Sequence, residues 1–124
     1  MTREYVLVVG SLDIDGGHAD NTVYPAYVAE ARERFLSEAT DGDVDDYGTP
    51  IVRLEIDFRG ELIAGDRFTA AVSVTDVGTT SFTTSIELRT DEGPIAEATT
   101  VHVVTDLGTG EAIPVPDPWR ERFE

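Results

Sequence analysis

Asn21-Thr-Val-Tyr-Pro-Ala-Tyr-Val-Ala-Glu-Ala-Arg-Glu-Arg-Phe-Leu36 is the stretch on which the fold turns, because it is the one good helix candidate in the chain. Tyr24, Tyr27, Val28, Ala31 and Phe35 recur at spacings of three and four and make a single apolar stripe. Proline is favoured in a first helical turn, and Asn21 and Thr22 are capping types, so the helix is expected to start near Tyr24 or Pro25. Glu30, Glu33 and Glu38 lie mostly off the stripe, and the acidic, Gly-containing segment 40–48 ends the helix in a solvated loop.

On either side the pattern changes to a period of two. Upstream, residues 4–9 read as a short strand, followed by a Gly- and Asp-rich turn over 10–20. Downstream, Val52, Leu54, Ile56 and Phe58 alternate with Arg53, Glu55, Asp57 and Arg59. The alternation resumes at Phe68–Val74 and Phe82–Leu88, and a last strand spans about 95–105. Turns fall at Ala64-Gly-Asp66, Val77-Gly-Thr79 and Asp91-Glu-Gly-Pro94. The prolines at 114, 116 and 118 close the sheet and leave a short tail, 119–124. One strand, one helix and four further strands predict an α+β domain spanning 1–124, with an antiparallel sheet of about five strands curled around one long central helix. The other sheet face carries enough apolar and small residues to expect packing against a second subunit.

At 124 residues there is material for one core. No apolar run reaches the ~20 residues needed to span a bilayer, and Glu4 directly after Arg3 does not fit a signal peptide. With no cysteine, neither disulfides nor a thiolate zinc site can form. A cytoplasmic protein is expected. The formal net charge is −16, and every basic residue is arginine. The acids are spread along the whole chain, which favours a surface adapted to concentrated salt over an acidic face for one basic partner. No basic stripe offers itself to nucleic acid.

Chemistry concentrates in 12–24, which holds Asp13, Asp15, His18, Asp20 and Asn21 just before the helix. Backbone N–H groups at a helix start polarise a carbonyl oxygen, and a neighbouring carboxylate can serve as nucleophile or general base. The bland alternative is a surface turn whose aspartates only cap the helix. A calcium loop counted from Asp13 fails, since its sixth and twelfth places hold His18 and Tyr24, so no metal is expected. Ser81 and Ser85 lack a Gly-x-Ser-x-Gly elbow, no phosphate loop or dinucleotide motif is present, and His102 stands alone in a strand.

Residues 13–36, Asp-Ile-Asp-Gly-Gly-His-Ala-Asp-Asn-Thr-Val-Tyr followed by a helix with Glu-Ala-Arg, resemble the signature of the 4-hydroxybenzoyl-CoA thioesterase family of hotdog proteins. That signature runs Asp-x-Asp-x-x-Gly-His-Val-Asn-Asn, then Tyr. The strand at 51–59, Ala-Gly-Asp at 64–66, Gly-Thr-Thr-Ser at 78–81 and Ile-Ala-Glu-Ala-Thr-Thr-Val at 95–101 fit the family in order, as do Asp-x-x-Thr-Gly at 106–110 and Ile-Pro-x-Pro at 113–116. The resemblance implies a hotdog fold and hydrolysis of an acyl-CoA thioester by a homodimer or homotetramer, without metal or organic cofactor. It also implies a site drawn from Asp15 or Asp13, His18, Asn21 and the backbone N–H near Tyr24.

The family places its catalytic aspartate four residues before the histidine, where this chain has Ile14. A one-residue deletion makes Asp15 the catalyst and keeps its Asp-x-Asp partner, whereas an inserted glycine makes it Asp13; the reading leans to Asp15. Asp20 replaces the first asparagine of the family's pair, a negative charge that raises a neighbouring aspartate's pKa. Some relatives carry the carboxylate on the helix, which brings in Glu30, although pairing with Arg34 at i+4 accounts for it better. An Asp-x-Asn-Pro-x-His hydratase pattern is absent. A non-catalytic acyl-CoA-binding or assembly module on the same fold is the alternative. Arg32, Arg53, Arg59 and Arg89 are the arginines available to a CoA nucleotide.

Overall fold

The computed structural model describes residues 1–10, 14–15 and 17–124, with Ile14, Asp15 and His18 described as backbone only. Strand β1 (Thr2–Val8) leads to a small hairpin, β2 (Ile14–Asp15) and β3 (His18–Ala19), then to helix α1 (Tyr24–Ala39). Four strands follow, β4 (Ile51–Phe58), β5 (Arg67–Val77), β6 (Ser81–Thr90) and β7 (Gly93–Val103), and a second helix, α2 (Asp117–Phe123), closes the described chain. The antiparallel sheet runs β1-β5-β6-β7-β4, so β4 crosses to the far edge and α1 lies over one face. This is the five-stranded antiparallel sheet with one long helix expected from the alternation, and it is the hotdog arrangement that the family resemblance implies.

The core is the meeting of that inner face with the helix stripe. Phe68, Ala70 and Val72 of β5 and Phe82, Ile86 and Leu88 of β6 pack under Val28, Ala31 and Phe35 of α1, all buried. Alternate residues of these strands point to opposite faces, so Ser73, Thr83, Ser85, Thr99 and Val101 form the outer face. β1 is fastened to the helix end through Glu38, which receives hydrogen bonds from Arg3 (2.8 Å) and the Tyr5 hydroxyl (3.1 Å). Burial and that carboxylate push the Tyr5 phenol up to about 12.

Three sequence expectations need correction. The turn over 10–20 contains the β2–β3 hairpin, too short for any periodicity to reveal. Asn21 and Thr22 do not cap the helix. They lie inside a 3₁₀ turn (Asn21–Val23), which runs into α1 and is capped by Asp20, whose side chain accepts from the Thr22 N–H at 2.8 Å. The tail is not a tail, because α2 buries Trp119 and Phe123 in the core, one turn apart on a single face. The Trp119 indole donates to Asp43 at 2.9 Å and its ring meets Tyr47 edge-on at 5.1 Å, which seals the end of the sheet against the loop after α1.

Candidate functional site

The entry to α1 is held by a short segment remote in sequence. Leu62, fully buried in the turn between β4 and β5, gives its backbone to both sides of the entry. Its carbonyl accepts from Ala19 N–H at 2.6 Å, and its N–H donates to the Tyr24 hydroxyl at 3.3 Å. Tyr24 is 1% exposed, and its ring stands edge-on to Tyr27 (5.9 Å) and Phe58 (5.3 Å). Burial raises the Tyr24 phenol pKa, only partly offset by the Leu62 bond, so this side chain stays neutral and acts as a post. Pro25 follows within the first turn.

The sequence-derived site residues fall around this post. Asp15 and His18 are direct cross-strand partners in the β2–β3 hairpin, with Gly17 at φ 91° in its turn, a left-handed conformation that a β-carbon disfavours. Ile14 pairs with Ala19, and Asp20 and Asn21 then lead into the helix. Asn21 is exposed and Tyr24 buried. The backbone thus brings Asp15, His18, Asn21 and Tyr24 to one end of α1. Asp13 lies outside the described residues. Leu62 and Phe58 belong to the surroundings of the site and carried no signal in sequence beyond a turn and an alternating strand.

Glu30 accepts from Arg34 at 2.8 Å on an exposed helix face, the i+4 pair expected of a solvated glutamate. Of the arginines open to a CoA nucleotide, Arg53 pairs with Glu55, Arg59 with Glu97 (3.0 Å), and Arg89 with Glu4 and Glu87. Arg32 is buried in α1, and desolvation lowers its pKa. Among the described residues no group of three or more His, Asp or Glu is arranged to hold a metal ion. No helix among them is long and apolar enough to cross a membrane.

His102, for which the sequence leaves a packed or a surface position open, is packed. It is 1% exposed, stacks on Phe82 at 4.8 Å, and its Nδ1 lies 3.1 Å from the Thr49 carbonyl, to which the neutral ring donates. Burial lowers its pKa to about 4, and the neighbouring Arg32 charge acts in the same direction. Because the folded value lies below the unfolded one, stability is complete above pH ~6.5 and is lost as pH falls towards 4. We expect His102 to account for a loss of about 2–3 kcal/mol between pH 7 and 4.5. Urea denaturation of the protein and of His102→Gln should show that the variant lacks this share of the acid sensitivity.

Comparisons with known proteins agree with this architecture. The family model described as the thioesterase-like superfamily matches residues 9–123. Over 68 residues the chain is 31% identical to a 1,4-dihydroxy-2-naphthoyl-CoA hydrolase of Synechococcus elongatus, covering 55% of this chain and 50% of that protein. The chain therefore spans about half the length of the curated relatives it matches. The structure of a 1,4-dihydroxy-2-naphthoyl-CoA thioesterase from Synechocystis superposes with a TM-score of 0.86 at 27% identity, covering 99% of this chain and 96% of that one. A predicted thioesterase from Bacillus stearothermophilus gives 0.90 at 25% identity, with coverages of 99% and 94%.

Proposed function

We propose, from the premise that this chain belongs to the thioesterase-like superfamily, that it hydrolyses an acyl-CoA thioester to the free acid and CoA. The observation that carries the proposal is the placement of the Asp15–His18 hairpin immediately before α1, in a chain whose family match runs almost end to end. In this reading the carboxylate of Asp15, or of Asp13, attacks the thioester carbonyl or takes a proton from the attacking water. The helix start near Tyr24 polarises the carbonyl oxygen, where backbone N–H groups lack intrahelical acceptors. The C–S bond breaks, and the thiolate leaves to be protonated as CoA; where the carboxylate itself attacked, water then cleaves the mixed anhydride, releasing the acid and restoring the carboxylate. His18 and Asn21 hold the hairpin and the helix entry in register.

An aromatic acyl group is the first class to try, since the relatives at 27% and 31% identity are named for a dihydroxynaphthoyl thioester. The reading includes a cytoplasmic homo-oligomer, a surface suited to concentrated salt, and no metal or organic cofactor. Because net charge −16 repels a polyanionic nucleotide, the test is free-thiol release from short, long and aromatic acyl-CoAs in molar salt. Release well above the enzyme-free rate is the expected result. Binding of acyl-CoA by the folded protein with no release across the panel would replace hydrolysis by the binding-module reading, which the displaced aspartate favours.

A further inference from the structure

Polar groups without partners gather at one place in the core, on the sheet face under α1. Thr84 and Thr100 pair across β6 and β7, and His102 pairs with Phe82 one step along that face. Among the described residues, the two threonine hydroxyls and Nε2 of His102 are buried without a hydrogen-bond partner. The Thr49 carbonyl can only accept, so the neutral His102 ring carries its proton on Nδ1 and shows a bare lone pair at Nε2. Arg32 brings a charge to the same place. It is 6% exposed on α1, and its charge acts on His102. The acid that acts on Arg32 is Glu33, the next residue along the helix, which is itself exposed. Among the described residues no carboxylate forms an ion pair with Arg32, although the chain carries 25 acids against nine arginines. A buried charge is costly unless it is paired.

We propose that this cluster is a halide site, in which Arg32 and the Thr100 hydroxyl hold one chloride ion under α1 and its binding protonates His102 at Nε2. An anion supplies what the cluster lacks. It gives the guanidinium, which is all donor, a countercharge, and it accepts from the hydroxyl. Water does neither fully, since it is neutral and brings donors of its own. A monatomic ion also asks the least room of a closely packed interior. The lone pair of Nε2 repels an anion, whereas a proton there turns it into a donor, so each chloride takes up one proton. The groups packed on the ring leave His102 as the one that titrates. Phe82 comes from β6, Ile51 from β4, the Thr49 carbonyl from the loop before β4, and from α1 comes Arg32, which stays charged. The acid sensitivity expected of His102 is then that of the halide-free protein, and chloride should diminish it. The inference is independent of the acyl-CoA reading.

Urea titrations of the full chain, with sodium chloride replacing sodium glutamate at constant ionic strength, test this. Screening is then the same throughout. The two anions also differ in their general effect on stability, so the quantity read is the difference between the parent and Arg32→Met. Met replaces the buried charge by an apolar side chain, a change that folded proteins tolerate. Relative to that variant, the parent's midpoint should rise with chloride and level off as one site fills. The chloride affinity should be about tenfold or more tighter at about pH 5 than at about pH 7.5. His102→Gln should keep a chloride response, its amide donating to the ion, and lose the pH dependence. Parallel responses of the parent and Arg32→Met at both pH values overturn the site. An equal affinity at both pH values overturns the proton uptake. Crystals of the parent soaked in bromide give a second readout that needs no variant. An anomalous peak within contact of Arg32 and Thr100 is expected, and its absence overturns the site.

Discussion

Asp15→Asn should lower acyl-CoA turnover by about 10²–10⁴-fold, the range for losing a positioned carboxylate base, while Asp13→Asn changes it little. Asparagine preserves size and hydrogen-bonding shape but cannot accept the proton of water or form an acyl intermediate. Asp15 is singled out because its backbone sits opposite His18 in the hairpin that leads into α1. The variant should unfold at the same denaturant concentration as the parent, since the buried posts of this region are Ala19, Tyr24 and Leu62. A large fall with Asp13→Asn and none with Asp15→Asn would transfer the role to Asp13. Full activity in both single variants and in the double variant would remove the carboxylate mechanism altogether.

The second large effect concerns stability. Trp119→Ala should destabilise the protein by about 3–5 kcal/mol, as large-to-small changes in cores do. The indole is fully buried, touches Tyr47, Phe82 and Phe123, and fills the end of the sheet that α2 closes. Trp119→Phe separates packing from hydrogen bonding. It keeps a ring but leaves the Asp43 carboxylate without the 2.9 Å donor. Asp43 is only partly buried and regains water, so about 1–2 kcal/mol should be lost. Equal costs for the two variants in a urea titration would show that the indole N–H, rather than its volume, matters at this position.

The strands were legible because half-buried strands alternate, and the long helix because its apolar residues recur on one face. α2 was not legible. Its seven residues follow two prolines and include a third, and only Trp119 and Phe123, four apart, carry an apolar signal. β4 misled in a different way. Its Val52, Leu54, Ile56 and Phe58 alternation reads as a strand with one buried face, yet three of those residues are at least 40% exposed. At the site, residue types were legible through the Asp-x-Asp and Gly-His motif. The pairing of Asp15 with His18 was not, because a hairpin of two-residue strands has no period, and nothing in the sequence ties Leu62 to Tyr24.

That last tie bears on how the molecule assembles. The two hydrogen bonds on Leu62 join residues 19 and 24 to a turn about forty positions later. The helix entry therefore cannot settle until the chain has passed through α1 and β4 and come back. A local element of the site is thus completed by a long-range loop closure, whose entropy must be met first. The site then belongs among the later parts of the structure to form, and Ala19 and Leu62 should open to solvent as one cooperative unit rather than fray separately.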